Sequence, residues 1–273
     1  MVAGNSRLYA IIGDPIAHVR TPLVFNAYFA AHEIAAVCVP IHIRPEDLAA
    51  GMAGLKAIAN LDGFIVTAPH KARVAQMVER LGQDGALVGA VNTVRREADG
   101  SYSGTMLDGH GFVAGLAGAG HAVRGRSIYI AGAGGAAAAL AFALAAAGIR
   151  ALTVFNRTRE RAEDLLARVK AAFPAVEVRF GTRDPRGHDI AVNATPLGLE
   201  PGDGFSFDVA RAEPPMLVAE VLMKPETTAL LRAAAARGCA IHQGKHMLDG
   251  QRDLMMAYFG LAPDVGTRSA AAR

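Results

Sequence analysis

Residues 127–157 read SIYIAGAGGAAAALAFALAAAGIRALTVFNR, and this stretch decides the fold. A short apolar run leads into Gly132-Ala133-Gly134-Gly135-Ala136-Ala137. A long apolar segment follows, and a second short run ends at Asn156-Arg157. That is strand, turn, helix and strand, with G-x-G-x-x-A at the first turn. Glycines there permit a sharp turn and let the backbone approach a pyrophosphate, which rests on the amides opening the helix. With 30 Gly in the chain the pattern alone is weak, but its setting between two strands reads as a dinucleotide site. The far end selects the dinucleotide. NAD sites place Asp or Glu about 20 residues on, to accept from the ribose 2′-hydroxyl. Here Asn156, Arg157 and Thr158 stand at that end, with Arg161 one helical turn later. A planar guanidinium suits a 2′-phosphate, so the expected cofactor is NADP(H).

The uncharged run from Ser127 to Ile149 is also long enough to span a bilayer, which needs about 20 apolar residues. Gly132, Gly134 and Gly135 instead divide it into a strand and a helix, and no flanking charge pattern or second span accompanies it. The length of 273 residues suits one large domain or two smaller ones. Hydrophobic residues at 52% and charged residues at 19% are enough for substantial cores and exclude global disorder. A net charge of +3 is too balanced for a nucleic-acid partner. Cys38 and Cys239 form no C-x-x-C, so buried thiols in a reducing compartment are expected, with neither disulfide nor metal. The opening MVAGNSRLYAIIGDP lacks the long apolar region of a signal peptide. The expectation is a cytoplasmic protein, monomer or homodimer, with a small-molecule substrate and no membrane partner. Its tail GTRSAAAR is expected to fray.

Upstream, residues 8–13, 36–43 and 63–69 read as strands. Thr21-Pro22 reads as a helix start, with Thr21 the cap and Pro22 the first helical residue. Pro45-Glu46-Asp47 opens a second helix, and Val74, Met77, Val78 and Leu81 form the apolar stripe of a third. Downstream, a helix is expected near 159–173, then strands near 176–180, 189–193 and 216–222. A helix near 226–237, a strand near 239–242 and a final helix near 246–259 complete the chain. The fold class is α/β with two domains. Residues 1–107, completed by 244–273, form an α/β substrate domain, and 108–243 form the dinucleotide-binding Rossmann domain. The glycines near 104–111 and Gly244 serve as hinges, and the ligand cleft is expected between the domains.

An enzyme using nicotinamide needs a proton donor at the substrate oxygen while hydride reaches carbon. Lys71 ends VTAPHK, which leads out of a strand at the end where α/β sites form, and Asp108 in TMLDGHG is its natural partner. From position alone, Lys71 could equally be a surface lysine at a helix start.

The motifs IIGDPIAH-x-x-TP, VTAPHK, GAVNTV, LDG, GAGGAA, NRTRERA, VNATPLG and GKHMLDGQ occur in this order over nearly the whole chain. In this the chain resembles the shikimate dehydrogenase family. The resemblance implies reduction of 3-dehydroshikimate with NADPH, in the chorismate pathway of aromatic amino acid biosynthesis. It implies Lys71 and Asp108 as the catalytic pair, with Thr67, Asn92 and Gln251 contacting substrate. Val19 and Thr21 fall where the family binds a carboxylate with two hydroxyls. It further implies cofactor contacts from Gly132, Ala133, Gly134, Gly135, Ala136, Asn156, Arg157, Thr158, Arg161, Asn193, Val221 and Gly244. On local grounds Asn92 and Asn193 could instead be turn residues.

The departures fall in the substrate pocket. Where the family commonly has Ser-Lys-Ser-Pro, this chain has Val19-Arg20-Thr21-Pro22, so one carboxylate-binding hydroxyl is missing. That loss is worth roughly 1.5–3 kcal/mol. Met106 and Leu107 replace two polar residues before Asp108, and Glu220 and Met223 replace a later aspartate and tyrosine. Quinate or aminoshikimate-type dehydrogenation, and a catalytically weak NADP(H)-binding or ligand-binding protein of the same fold, stand as alternatives.

Overall fold

The computed structural model describes residues 3–17, 19–200 and 202–261; the tail GTRSAAAR lies outside the described residues. The chain forms two compact units. One comprises 1–82, 90–105 and 252–273, the other 83–89 and 106–251. Three short pieces thus differ from the division read in the sequence: 83–89, 106–107 and 244–251 fall with the second unit. The chain passes between units at 105/106, inside the glycine-rich stretch. Gly244 is not at a passage.

The first unit holds a mixed six-stranded sheet. Its parallel half is β1 (Arg7–Gly13) flanked by β2 (Ala36–His42) and β3 (Leu61–Val66). After β4 (Arg80–Leu81), β5 (Thr93–Arg96) runs antiparallel to β3, β6 (Tyr102–Thr105) antiparallel to β5, and β4 pairs parallel with β6. Side chains alternate across β1. Ala10 and Ile12 join Leu48, Met52 and Leu55 in one core. Tyr9 on the opposite face meets Phe29 at 5.7 Å and Phe259 at 4.9 Å between ring centroids. Gly63 leaves room for Phe259, whose ring edge a Cβ there would meet at 2.5 Å. The C-terminal residues thereby close the core of this unit.

Local details depart from the sequence reading. Helix α1 (Thr21–Ala31) starts at Thr21 itself, and Arg20 holds the cap position without a capping hydrogen bond. Thr21 is therefore buried helix, not cap. After a turn of 3₁₀ helix at 45–47, α2 (Leu48–Ala57) follows as expected. Strand β3 ends at Val66 rather than 69. The third helix, α3 (Lys71–Ala75), stops well before Leu81. The reason is competition from β6: Glu79 N donates to Tyr102 O, and the Glu79 carboxylate accepts from Tyr102 N at 2.8 Å. Leu81 is drawn into the edge strand β4, half-exposed, leaving Val74 as the buried anchor of α3.

The second unit opens with α4 (Gln83–Val88) and α5 (Asp108–Gly118). Its sheet has β7 (Ser127–Ala131), β8 (Ala151–Phe155), β9 (Glu177–Phe180), β10 (Ile190–Asn193), β11 (Leu217–Glu220) and β12 (Ala240–His242). All pairs are parallel, in spatial order β12-β11-β10-β7-β8-β9. This is the doubly wound arrangement, with the order reversing between β7 and β10. Sheets covered on both faces need strands apolar throughout, and every residue of β7 and β10 is buried. Helix α6 (Gly135–Ala146) is buried from Ala137 to Ala145, which explains its lack of charge. Among the described residues no helix is long and apolar enough to cross a membrane.

Helix α7 (Arg159–Ala172) packs on β8 and β9. Helix α8 (Ala229–Ala236) begins later than expected, because Thr228 caps it by accepting from Leu231 N at 3.3 Å. Helix α9 spans Lys245–Tyr258, passing from one unit to the other after Gln251.

Candidate functional site

In the first unit the chemistry-bearing residues gather at the C-terminal end of β3. Thr67 N donates to Ile12 O at 2.9 Å, and His70 N closes the turn back to Thr67 O at 3.0 Å. Lys71 opens α3, half-buried, and its carbonyl accepts from Val91 N at 3.0 Å. The next residue, Asn92, is buried; its backbone bridges Val66 and Thr105, and its Oδ1 accepts from Thr93 Oγ1 at 3.0 Å. Thr67, Lys71 and Asn92, scattered in sequence, are thus held on one framework of backbone bonds. His70, buried beneath them, was not singled out from the sequence. Its Nε2 lies 2.7 Å from Ile43 O, so that nitrogen carries the proton, and Nδ1 has no partner among the described residues. Val19 sits half-buried in the turn before α1, and Thr21 is buried at the start of that helix.

In the second unit Asp108 is the first residue of α5 and is buried. Gln251 of α9 donates from Nε2 to Asp108 Oδ1 at 2.9 Å, and it too is buried. Glycine makes this approach possible. A Cβ on Gly111 would collide with the Gln251 side chain and lie 2.7 Å from Met247 O. Met106, just before Asp108, is buried and apolar, as the sequence departures implied.

The glycine turn stands where the strand order reverses. Gly132 has φ +117°, and a Cβ on it would lie 2.8 Å from Ala194 O, so only glycine fits. Gly134 and Gly135 are exposed and would meet no protein atom within 4 Å. Nothing in the chain demands glycine at these two positions, whereas a ligand lying on the turn would. Ala133 and Ala136 are half-buried beside them. Asn193, fully buried at the end of β10, organises the facing loop. Its Oδ1 accepts from Thr195 N at 3.1 Å and Thr195 Oγ1 at 2.7 Å, and its Nδ2 donates to Leu197 O at 2.9 Å. Val221 N donates to Asn193 O, and Gly244 abuts the Leu222 backbone. Asn193 is therefore a loop organiser, which its VNATPLG setting signals but a lone Asn does not.

At the end of β8, Asn156 Nδ2 donates to Thr158 O at 2.7 Å and shapes the turn into α7. Arg157, Thr158 and Arg161 are exposed there, and neither arginine makes an ion pair among the described residues. Two guanidiniums without an ion pair among the described residues thus stand at the end of the strand next to the glycine turn. One buried carboxyl stands behind the turn. Burial pushes Glu220 up to about 7, with the Thr228 hydroxyl pulling the other way.

Comparison with known proteins places this arrangement. The profile of the shikimate dehydrogenase substrate binding domain matches residues 11–94, and that of shikimate/quinate 5-dehydrogenase matches 117–195. A relative from Rubrobacter xylanophilus named shikimate dehydrogenase (NADP(+)) is 42% identical over 270 residues, covering 97% of this chain and 95% of its own. A crystal structure of a shikimate dehydrogenase in complex with NADP+ superposes with TM-score 0.89 at 31% identity, covering 97% of this chain and 93% of that one. The ligand-free 5-ketofructose reductase of Gluconobacter sp. strain CHM43 superposes with TM-score 0.85 at 30% identity, covering 94% of each chain. By these matches, and by the motifs whose geometry is given above, the chain belongs to the shikimate dehydrogenase family.

Proposed function

We propose that this protein is an NADP-dependent oxidoreductase that interconverts 3-dehydroshikimate and shikimate, or a close alicyclic hydroxy acid. The observation that carries the reading is the buried Asp108 fixed by Gln251, in a chain of this family that also retains Lys71 in VTAPHK. A protein that merely binds its ligand has no need of a donor lysine and an oriented carboxylate.

The residues present fit the cofactor. Gly132, Gly134, Gly135, Ala133 and Ala136 would hold the pyrophosphate at the opening of α6. Asn156, Arg157, Thr158 and Arg161 would hold the 2′-phosphate, and Asn193, Val221 and Gly244 would line the nicotinamide end. When bound, NADPH supplies the reducing equivalent for the substrate carbonyl carbon. Lys71 holds the proton at the carbonyl oxygen and delivers it as the alcohol forms; in the oxidative direction its amine takes that proton back. Asp108 accepts from a substrate hydroxyl, and Gln251 keeps its carboxylate aimed. Thr67 and Asn92 bind further hydroxyls. Thr21 receives the substrate carboxylate at the start of α1, where the helix dipole favours an anion.

A second reading concerns the substrate. Val19, Met106 and Leu107 leave the pocket more apolar than the family pattern, which favours a relative of shikimate with fewer polar groups there, or a weaker catalyst. Steady-state assays with shikimate, quinate and aminated analogues distinguish these. Shikimate as the best substrate supports the first reading, and preference for another supports the second.

A further inference from the structure

Glu220 ends β11 fully buried, and the mechanism above makes no use of it. Its Oε2 accepts from Thr228 Oγ1 at 2.8 Å, while Oε1 has no hydrogen bond within reach among the described residues; the Thr228 backbone and the Asn193 side chain nearby also favour the ionised form, but less than burial opposes it. Glu220 is the register partner of Asn193, which is the register partner of Ala131. The three side chains therefore share one face at the ends of adjacent strands, and the third immediately precedes Gly132. Thr228, which bonds Glu220, also caps α8. Of the segment between them, Leu222 is buried and closely packed. A Cβ on Gly198 would lie 3.3 Å from Leu222 and 3.6 Å from Thr228, and Gly244 presses on Leu222 from another side. The shelf facing the glycine turn is thus fastened by Asn193 at one strand end and by Glu220 at the next.

We propose that Glu220 is a positioning residue of this shelf and that dinucleotide binding is coupled to its protonation, the neutral carboxyl accompanying the bound pyrophosphate. The inference rests on the NADP(H) reading above. A fully buried carboxylate with an unpartnered oxygen and no cation against it is costly, so the fold favours the neutral form. The rise to about 7 agrees with that argument. Among the described residues no cation pairs with Glu220. Strand β10 contributes Asn193 and α8 contributes Thr228; Arg232 of α8 is exposed and bonded to Thr227 O. On β12, His242 is in register with Ala219 and so points to the opposite face, where burial keeps it neutral. Lys224, Glu226 and Lys245 are exposed, the last two paired with each other. Glu220 lies two strand spacings, about 10 Å, from the strand carrying the glycine turn. A buried negative charge at that range opposes the charges of a pyrophosphate through a medium of low dielectric. By reciprocity, binding the dinucleotide draws a proton onto Glu220.

Titration calorimetry of the whole protein with NADP+ at pH 7, in buffers of different ionisation enthalpy, counts those protons. The wild type should take up a few tenths of a proton more per site than Glu220→Gln, which keeps an acceptor for Thr228 and is neutral at every pH. Between pH 6.5 and 8.5, wild-type affinity should fall about threefold to tenfold relative to that variant. Titration of the 2′-phosphate contributes equally to both proteins and cancels. Thr228→Val removes the bond that favours the anion, so it should shift the wild-type profile to higher pH. Equal proton uptake and parallel profiles in wild type and Glu220→Gln, or an unshifted profile in Thr228→Val, overturn the inference and leave the cofactor reading intact. A wild type that does not bind NADP+ overturns both.

Discussion

Gln251 and Asp108 stand 143 residues apart in sequence and are joined by a 2.9 Å hydrogen bond between two buried side chains. The bond gives the carboxylate one orientation and makes Gln251 part of its chemistry. Gln251→Ala should lower kcat/KM for the alicyclic substrate about tenfold or more, the worth of a hydrogen bond to a charged group, while NADP+ affinity stays constant. Gln251→Glu should be worse, because it sets two carboxylates side by side. Asp108→Asn should impair kcat and substrate KM together. An unchanged kcat/KM in Gln251→Ala would remove it from the site.

Lys71→Ala should lower kcat by about 10²–10⁴, the usual range for a positioned acid–base group, with NADP+ binding preserved. Steady-state kinetics with separately measured cofactor affinity decides this. Near-normal turnover would exclude Lys71 as the proton donor.

Arg157 and Arg161, exposed and without an ion pair among the described residues, should give NADP+ at least about tenfold higher kcat/KM than NAD+. Arg157→Ala should erase most of that preference and leave NAD+ use largely intact. Equal efficiency of the two cofactors in the wild type would contradict the assignment.

Val19→Ser restores a hydroxyl at the turn before Thr21. For shikimate it should lower KM by up to about tenfold and barely change kcat, since the carboxylate is remote from the reacting carbon. If the substitution instead weakens turnover of the best substrate, the apolar residue serves a different ligand group.

Two buried groups set opposing pH dependences of stability. Burial, reinforced by His246 and His121, pushes His242 down from 6.5 to about 4. The unfolded chain takes up that proton first, so stability is lost as pH falls from 6.5 to about 4. Glu220 is raised from 4.5 to about 7, so its contribution is present below 4.5 and lost as pH rises to about 7. Glu220→Gln should therefore gain stability relative to wild type on going from pH 5 to pH 8, by of the order of 2 kcal/mol. Urea unfolding at the two pH values measures it, and a constant difference between the proteins would contradict the burial argument.

The second unit was legible because its central strands β7 and β10 are buried throughout and a glycine turn stands between β7 and α6. Residues 127–157 read as strand, turn, helix and strand, and the structure holds β7, α6 and β8 there in that order. The first unit was less so. The β5–β6 hairpin and the edge strand β4 are short and made by pairing across sequence, which periodicity cannot show. The same pairing ended α3 early and exposed Leu81. Thr21 reads as a cap by residue type, yet the helix begins one residue sooner because burial of Thr21 decides the matter. The candidate site residues are named from motif order. Motif order does not show the Gln251–Asp108 bond or the burial of Glu220 and His70, since each depends on contacts between distant segments.

The most direct measurement is NADPH formation by the purified protein from NADP+ and, in parallel, shikimate, quinate, and aminated or deoxygenated analogues. Shikimate or a close alicyclic hydroxy acid should reduce NADP+ at a rate that Lys71→Ala lowers at least about a hundredfold. No NADPH from any of these compounds, by a protein that still binds NADP+, would contradict the dehydrogenase assignment and leave a binding protein of the same fold.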